Sequence, residues 1–481
     1  VPEMTYVTRL EASLHDEDTV YATFSNKKKG DFSPYVFVSR NRGGSWTSIA
    51  GDLPEREIVY SLMQDHVKPE LLFVGAEFGV YFTIDEGQHW IRLKGGVPTI
   101  QMRDIDIQRR ENDLVLGTFG RGFYILDDYT PLRQVSEQAL EEDAVLFPTK
   151  DALRYVEMRG RIGSRGATMF AADNPPFGAV FTYYLKDGLK SLEDARLEAE
   201  KEASKAGTAP RIPSYDELRA EEEQIDPAIV LTVRNAQGNV VRRVNGTTGK
   251  GMHRVAWDLR WPSARPTSLK KANLNPWDRE PVGQLAVPGT YSVTLSKVVD
   301  GVVTDLAGPQ TFEVVDLGLN TFATQDQAAT FAFQQKTADL ERAVRGAVKW
   351  ADEADTRLEH THKALMNTPE ADATLIGEWH KLRTELNDIL VELTGDDTKA
   401  ARNVFTPPSI LGRVSRIVGS QWDTTGAPTA TNLQDYEWAA EAFASELARL
   451  TTFASDLESF ESTLEAVGAP WTPGRLPEWS K

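Results

Sequence analysis

The chain has 481 residues, enough for roughly two to four domains, because one core rarely grows beyond about 250 residues. Hydrophobic residues make up 41%, against wholesale disorder, and apolar runs such as 228–233 fall far short of the roughly 20 residues of a membrane span. Lys and Arg number 53 against 71 Asp and Glu, a net charge of −18 that disfavours nucleic acid, and the absence of cysteine removes disulfides, thiolate metal sites and cysteine nucleophiles.

The first elements in the chain repeat. Tyr35-Val36-Phe37-Val38-Ser39 is followed by Asn41, Gly43 and Trp46, and 44 residues later Gly79-Val80-Tyr81-Phe82-Thr83 is followed by Asp85, Gly87 and Trp90. A third copy, Gly122-Phe123-Tyr124-Ile125-Leu126, starts 43 residues after the second and ends in Asp127 and Asp128 without the Gly and Trp. Such a period corresponds to one four-stranded propeller blade. A further strand is predicted before each copy, at 19–24, 71–75 and 114–118, apolar on both faces as expected between neighbouring sheets.

The pattern Ser/Thr, x, Asp/Asn, x, Gly, x, x, Trp resembles the Asp box of sialidases, sortilins and related propellers. Its spacing has a physical reading. The short side chain of Asn41 or Asp85 accepts main-chain N–H groups within the turn, Gly43 or Gly87 supplies a positive φ, and Trp46 or Trp90 folds back to seal the strand pair. Ser39, Asn41, Gly43, Trp46, Thr83, Asp85, Gly87 and Trp90 are therefore expected to be architectural, with His89 as a turn residue. The run 116–122, continuing through Asp127, Asp128 and Pro131-Leu132-Arg133, resembles the closing blade of bacterial sortilin-like (VPS10-type) Asp-box proteins. Arg121 is expected either to face the central channel or to pair with Asp127 or Asp128. Three blades cannot close a ring, so the missing ones are expected upstream in a longer precursor or from a companion chain. The chain starts at Val1 with no charged and apolar leader, which fits missing upstream sequence.

Residues 1–135 are thus read as propeller blades and 136–170 as a linker with a Gly- and Arg-rich stretch from Arg159 to Gly166. Residues 171–318 are read as an immunoglobulin-like β-sandwich of about seven strands, at 177–185, 228–233, 240–244, 252–260, 288–295 and 311–315 among others. The succession 238–242, 255–258, 288–291 resembles the sandwich domain of flagellar hook-capping proteins. A charged insertion at 189–226 reads as one or two solvated helices. From 319 to 481 an α-helical bundle and tail are predicted: Leu340, Val344, Val348, Ala351, Leu358, His362 and Leu365 mark one face of a long helix, with further helices at 371–393, 408–418 and 433–467.

The sequence has no phosphate loop, no nucleophile-elbow Ser and no His-Glu-x-x-His helix, and His360 and His362 face different ways on a helix. No catalytic residue, metal or cofactor is assigned. Arg211-Ile212-Pro213 matches the Arg-Ile-Pro of sialidases but falls in the charged insertion. Glu77, Asp104 and Asp106 are blade carboxylates, and Glu77, Phe119 and Arg121 are the candidate binding residues. The sortilin-like resemblance implies a non-catalytic secreted, periplasmic or cell-surface protein that holds a peptide, protein or glycan. The alternatives are an Asp-box glycoside hydrolase whose catalytic residues lie in missing blades, and a subunit of a cell-surface assembly.

Overall fold

The computed structural model describes residues 1–157, 168, 170, 172–270, 274, 280–319, 324, 326–477 and 479, so the Arg159–Gly166 stretch lies outside the described residues. Three antiparallel sheets come first, each paired in chain order. The first is β1 (Tyr6–Ala12), β2 (Val20–Asn26), β3 (Asp31–Ser39) and β4 (Thr47–Ser48). The second is β5 (Val59–Gln64), β6 (Leu72–Ala76), β7 (Gly79–Thr83) and β8 (Ile91–Arg92). The third has three strands, β9 (Met102–Gln108), β10 (Asp113–Thr118) and β11 (Phe123–Leu126).

The sheets are layered, with β5 in contact with both β1 and β9. Every residue of β5, β6 and β7 is buried, which is why these strands read as continuous apolar runs rather than alternating ones. Tyr21, Val36 and Val38 of the first sheet share a core with Val59, Leu72 and Val74 of the second. Met63, Phe73 and Phe82 share another with Ile105, Leu114 and Leu116 of the third. Layering this tight needs a glycine at Gly75, where a Cβ would stand 2.5 Å from Ser61 Oγ and 2.7 Å from the Met102 carbonyl. Gly75→Ala is expected to destabilise the chain by about 1–3 kcal/mol, read as a lowered denaturant midpoint with unchanged slope.

A buried ion pair ties the chain leaving the third sheet back onto the second. Arg133 donates from Nε to Asp65 Oδ2 (2.9 Å) and from Nη2 to Asp65 Oδ1 (2.8 Å), while the Tyr129 hydroxyl donates to the same Oδ1 at 2.5 Å. The main-chain N–H of Lys68 supplies Oδ2 with a further bond of 2.7 Å. Burial pushes the Asp65 carboxyl upward, but the bonds from Arg133, Tyr129 and Lys68 outweigh it and hold the group below its usual range. Leu132, Val135 and Phe147 then pack into the core of the third sheet.

A short helix, α1 (Glu137–Glu141), leads to β12 (Ala144–Leu146) and β13 (Ala152–Arg154). Both strands fall inside 136–170, which was expected to be linker, and both are hydrogen-bonded into later sheets. Their partners are β14 (Ala179–Leu185) and β19 (Val302–Asp316). With β15 (Ala228–Asn235), β16 (Val240–Gly246), β17 (Gly251–Trp257) and β18 (Gly289–Val299), the strands form two sheets, ordered β12-β14-β17 and β13-β19-β18-β15-β16. Their shared core centres on Phe181, Trp257, Tyr291 and Phe312, with the Trp257 and Tyr291 rings 5.3 Å apart. The charged insertion forms α2 (Leu192–Lys205) and α3 (Tyr215–Glu223), neither with a buried residue.

The remainder is helical: α4 (Gln327–Met366), α5 (Ala373–Thr394), α6 (Asp397–Ala400), α7 (Ile410–Gln421) and α8 (Ala430–Ala466). On α4 the buried stripe includes Leu340, Val344, Ala347, Ala351, Ala354 and Leu358. It takes Ala347 in place of the expected Val348, which packs at the edge, and His362 instead lies against the Trp379 ring at 4.3 Å. Arg260 joins the two-sheet region to the helices, donating from Nη1 to the Trp422 carbonyl (2.9 Å) and from Nη2 to Asp423 Oδ1 (3.0 Å). No helix among the described residues is long and apolar enough to cross a membrane.

Candidate functional site

Each of the first sheets has two ends of different character. At one end lie the turns that carry the repeated Gly and Trp. The Ser39 hydroxyl donates to Asn41 Oδ1 at 3.0 Å and accepts the Gly43 N–H at 2.8 Å. The Thr83 hydroxyl does the same with Asp85 Oδ1 (2.6 Å) and the Gly87 N–H (2.9 Å). Gly43 and Gly87 have φ of 89° and 91°, a region that side chains resist. Asp85 also accepts the N–H groups of Gln88 and His89, both at 3.0 Å, and His89 Nδ1 is 2.8 Å from Asp85 Oδ2. In the third copy Asp128 accepts both the N–H and the hydroxyl of Thr130.

The two tryptophans differ. Trp90 is 7% exposed, donates from Nε1 to the Ile49 carbonyl (3.0 Å) and from its main chain to Asp52 Oδ1 (2.7 Å). A Cβ on Gly87 would stand 2.6 Å from the same Ile49 carbonyl. The second turn is therefore a staple onto the segment leaving the preceding sheet, not only a seal within its own. Trp46 is 42% exposed, contrary to the expected seal. Its counterpart of Ile49 would belong to a sheet before the first, and none is present among the described residues.

The opposite end is formed by the β2–β3, β6–β7 and β10–β11 loops and the starts of β5 and β9. Here consecutive repeats converge. Tyr60 and Arg103 occupy equivalent places near the starts of β5 and β9, and Glu77 and Phe119 equivalent places after β6 and β10. The Glu77 N–H donates to the Ile58 carbonyl at 2.9 Å and the Phe119 N–H to the Gln101 carbonyl at 3.0 Å. The Glu77 carboxylate accepts the Tyr60 hydroxyl on Oε2 and the Gln101 amide on Oε1, the latter at 2.6 Å. The Arg103 guanidinium lies between two rings, 4.4 Å from the Tyr60 centroid and 5.7 Å from that of Phe119. Lys27, from the first repeat's loop, donates to the Tyr60 hydroxyl at 3.1 Å. Burial, followed by the bond to Glu77, pushes the Tyr60 phenol far up, so it stays protonated at any physiological pH.

Of the candidate residues read from the sequence, Glu77 and Phe119 meet in this cluster. Arg121 does not join them, and the expected pair with Asp127 or Asp128 is not formed. The Thr118 N–H and the Arg121 N–H close a tight turn, onto the Gly122 carbonyl and the Thr118 hydroxyl (both 3.1 Å), and this holds Arg121 at the tip, across β11 from Asp127. Asp104 accepts from Arg9 Nη1 at 3.3 Å. Arg211 pairs with Glu217 in the exposed insertion, far in sequence from the sheets. Tyr60, Gln101 and Arg103 were not singled out from sequence. The offset of 43 residues between Tyr60 and Arg103 is the repeat period, and this register was the available signal.

The sequence matches no protein-family model and no curated protein. Among solved structures, the chain is similar to the GH74 xyloglucanase from Xanthomonas campestris, with 12% identity, TM-score 0.22, and 68% of this chain on 40% of that one. It is also similar to a GH74 enzyme from Niastella koreensis, with 12% identity, TM-score 0.23, and 64% of this chain on 43% of the other. A third is PorZ, a bacterial surface component of the type-IX secretion system of Porphyromonas gingivalis, with 10% identity, TM-score 0.19, and 62% of this chain on 37% of the other. The chain thus spans less than half the length of each of these structures.

Proposed function

We propose that the chain is an extracytoplasmic binding or scaffold protein of the sortilin-like Asp-box type, secreted, periplasmic or at the cell surface. On this reading residues 1–135 are consecutive propeller blades, 171–318 an immunoglobulin-like sandwich whose sheets also recruit β12 and β13, and 319–481 a helical support. The half-open Trp46 supports a further blade before the first, from a longer precursor or a companion chain. The observation that carries the binding role is the convergence of Tyr60, Glu77, Gln101, Arg103 and Phe119 from consecutive repeats at one solvent-facing end. Polar groups held in place beside an exposed ring, on loops braced by sheets, are the usual makings of a recognition site. The ligand is a peptide, protein or glycan.

One observation favours the glycoside-hydrolase alternative: a Tyr hydrogen-bonded to a Glu is the pairing a tyrosine nucleophile requires. Against it, Tyr60 is buried and its phenol is pushed up rather than down. Screening the chain and its Glu77→Gln/Phe119→Ala variant on glycan and peptide arrays, with product analysis of any glycan bound, separates the two. The expected result is a retained, uncleaved ligand whose signal falls about tenfold or more in the variant. Cleavage abolished by Tyr60→Phe would establish the hydrolase, and a signal indifferent to the double substitution would remove this site from either role.

A further inference from the structure

The end of the sheets just described carries a concentration of cations on a chain whose net charge is −18. Four of them rest on aromatic rings. Lys27 Nζ is 4.9 Å from the Tyr60 centroid and Lys28 Nζ is 4.4 Å from that of Tyr6. The Arg56 guanidinium is 5.2 Å from the Phe32 centroid, and Arg103 lies against Tyr60 and Phe119. None of these four has a carboxylate partner among the described residues, and neither does Arg121 at its turn tip. Elsewhere in residues 1–135 several arginines are paired with carboxylates: Arg9 with Glu11, Arg40 with Glu86, Arg42 with Asp18, Arg133 with Asp65.

The nearby carboxylates are already engaged or set back. Glu77 has both oxygens occupied by Tyr60 and Gln101. Glu57 is buried, accepts the Phe78 N–H at 2.8 Å, and is shifted by burial toward its neutral form. Exposed Glu55, next to Arg56, is the remaining acid of that loop. A cation on a ring face keeps its polar edge free for an anion, and stacking fixes its position, which lowers the entropy cost of binding.

We propose that this end binds an anionic glycan, a sugar chain bearing carboxylate or sulfate groups. Arg103 and Lys27 take the acidic group, and the Phe119 ring, 63% exposed, takes the apolar face of a sugar. A guanidinium fork suits either anion bidentately. An acidic peptide is the competing ligand; the exposed Phe119 ring favours the sugar, and a poly-glutamate probe separates the two. The inference rests on the binding reading above and names the ligand class of the same site.

Calorimetric titration of the whole chain tests it with four probes: a galacturonate trisaccharide, a heparin-derived tetrasaccharide, neutral cellotriose and a poly-glutamate peptide. Binding to at least one acidic sugar is expected, weakened by salt and reduced about tenfold or more by Arg103→Ala and again by Lys27→Ala. Arg103→Lys should fall between, keeping the charge and losing the fork. Binding of the galacturonate shows that carboxylate suffices, and binding of the heparin fragment alone that sulfate is required. Both substituted side chains are exposed, so melting temperatures should not move. Equal binding of cellotriose, binding of the peptide alone, or affinities unchanged in the variants would overturn the ligand class while leaving a binding site in place. If no probe binds, the anionic-glycan assignment falls, and the binding reading stands or falls separately on the glycan and peptide arrays.

Discussion

Asp65→Ala is expected to lower the stability of the chain by about 3–5 kcal/mol, because it strands the Arg133 guanidinium beside a buried hydroxyl with no counter-charge. The Asp65 side chain has no exposed surface and Arg133 only 16%, so water does not restore what is lost. The pH dependence has a definite sign. Asp65 titrates lower in the folded chain than in the unfolded one, so its contribution is complete above the unfolded value of about 3.9 and disappears as pH falls through the folded value. Denaturant midpoints of wild type and Asp65→Asn should therefore differ most near neutral pH and converge below about pH 4. A constant gap would mean that Asp65 acts through packing rather than charge.

The second large effect is a contrast between two residues that occupy the same place in the repeat. Trp90→Ala should cost about 3–5 kcal/mol, since it empties a buried site and leaves the Ile49 carbonyl without its donor. Trp46→Ala should cost about 1 kcal/mol or less in this chain, because its ring is half exposed and makes no staple to a neighbouring sheet among the described residues. Equilibrium unfolding followed by circular dichroism measures both. Equal losses would show that the turn works within its own sheet and not between sheets.

The pairing of these tryptophans also shows where sequence reasoning reaches and where it stops. The Ser/Thr, Asp/Asn, Gly and Trp spacing is local, each contact spanning two to four residues, so Ser39 to Gly43 and Thr83 to Gly87 could be read in advance. What Trp90 touches could not, since Ile49 is 41 residues away. Asp65 and Arg133 stand 68 apart, and neither carries a local mark of its partner. Strands β12 and β13 have three residues each, too short for a period of two to register, and β13 is held by β19, near the far end of the two-sheet region. The long helices were legible because their apolar stripes repeat many times. The buried stripe of α4 keeps a seven-residue spacing, Leu340-Ala347-Ala354 and Val344-Ala351-Leu358, so it takes the small Ala347 while Val348 packs at its edge. For the site, Glu77 and Phe119 were visible as residues of loops in the repeat, whereas Tyr60 and Arg103 looked like ordinary strand residues until the register of one repeat was laid on the next.

The layered arrangement of the first three sheets is what brings the residues of the site together, and amide hydrogen exchange followed by mass spectrometry tests it most directly. Strands β5, β6 and β7, covered on both faces, should be the slowest-exchanging segments of residues 1–135, with the outer strands β1 and β11 clearly faster. Exchange across 59–83 as rapid as in the exposed α2–α3 insertion would contradict the layering, and with it the convergence of Tyr60, Glu77, Arg103 and Phe119 at one end.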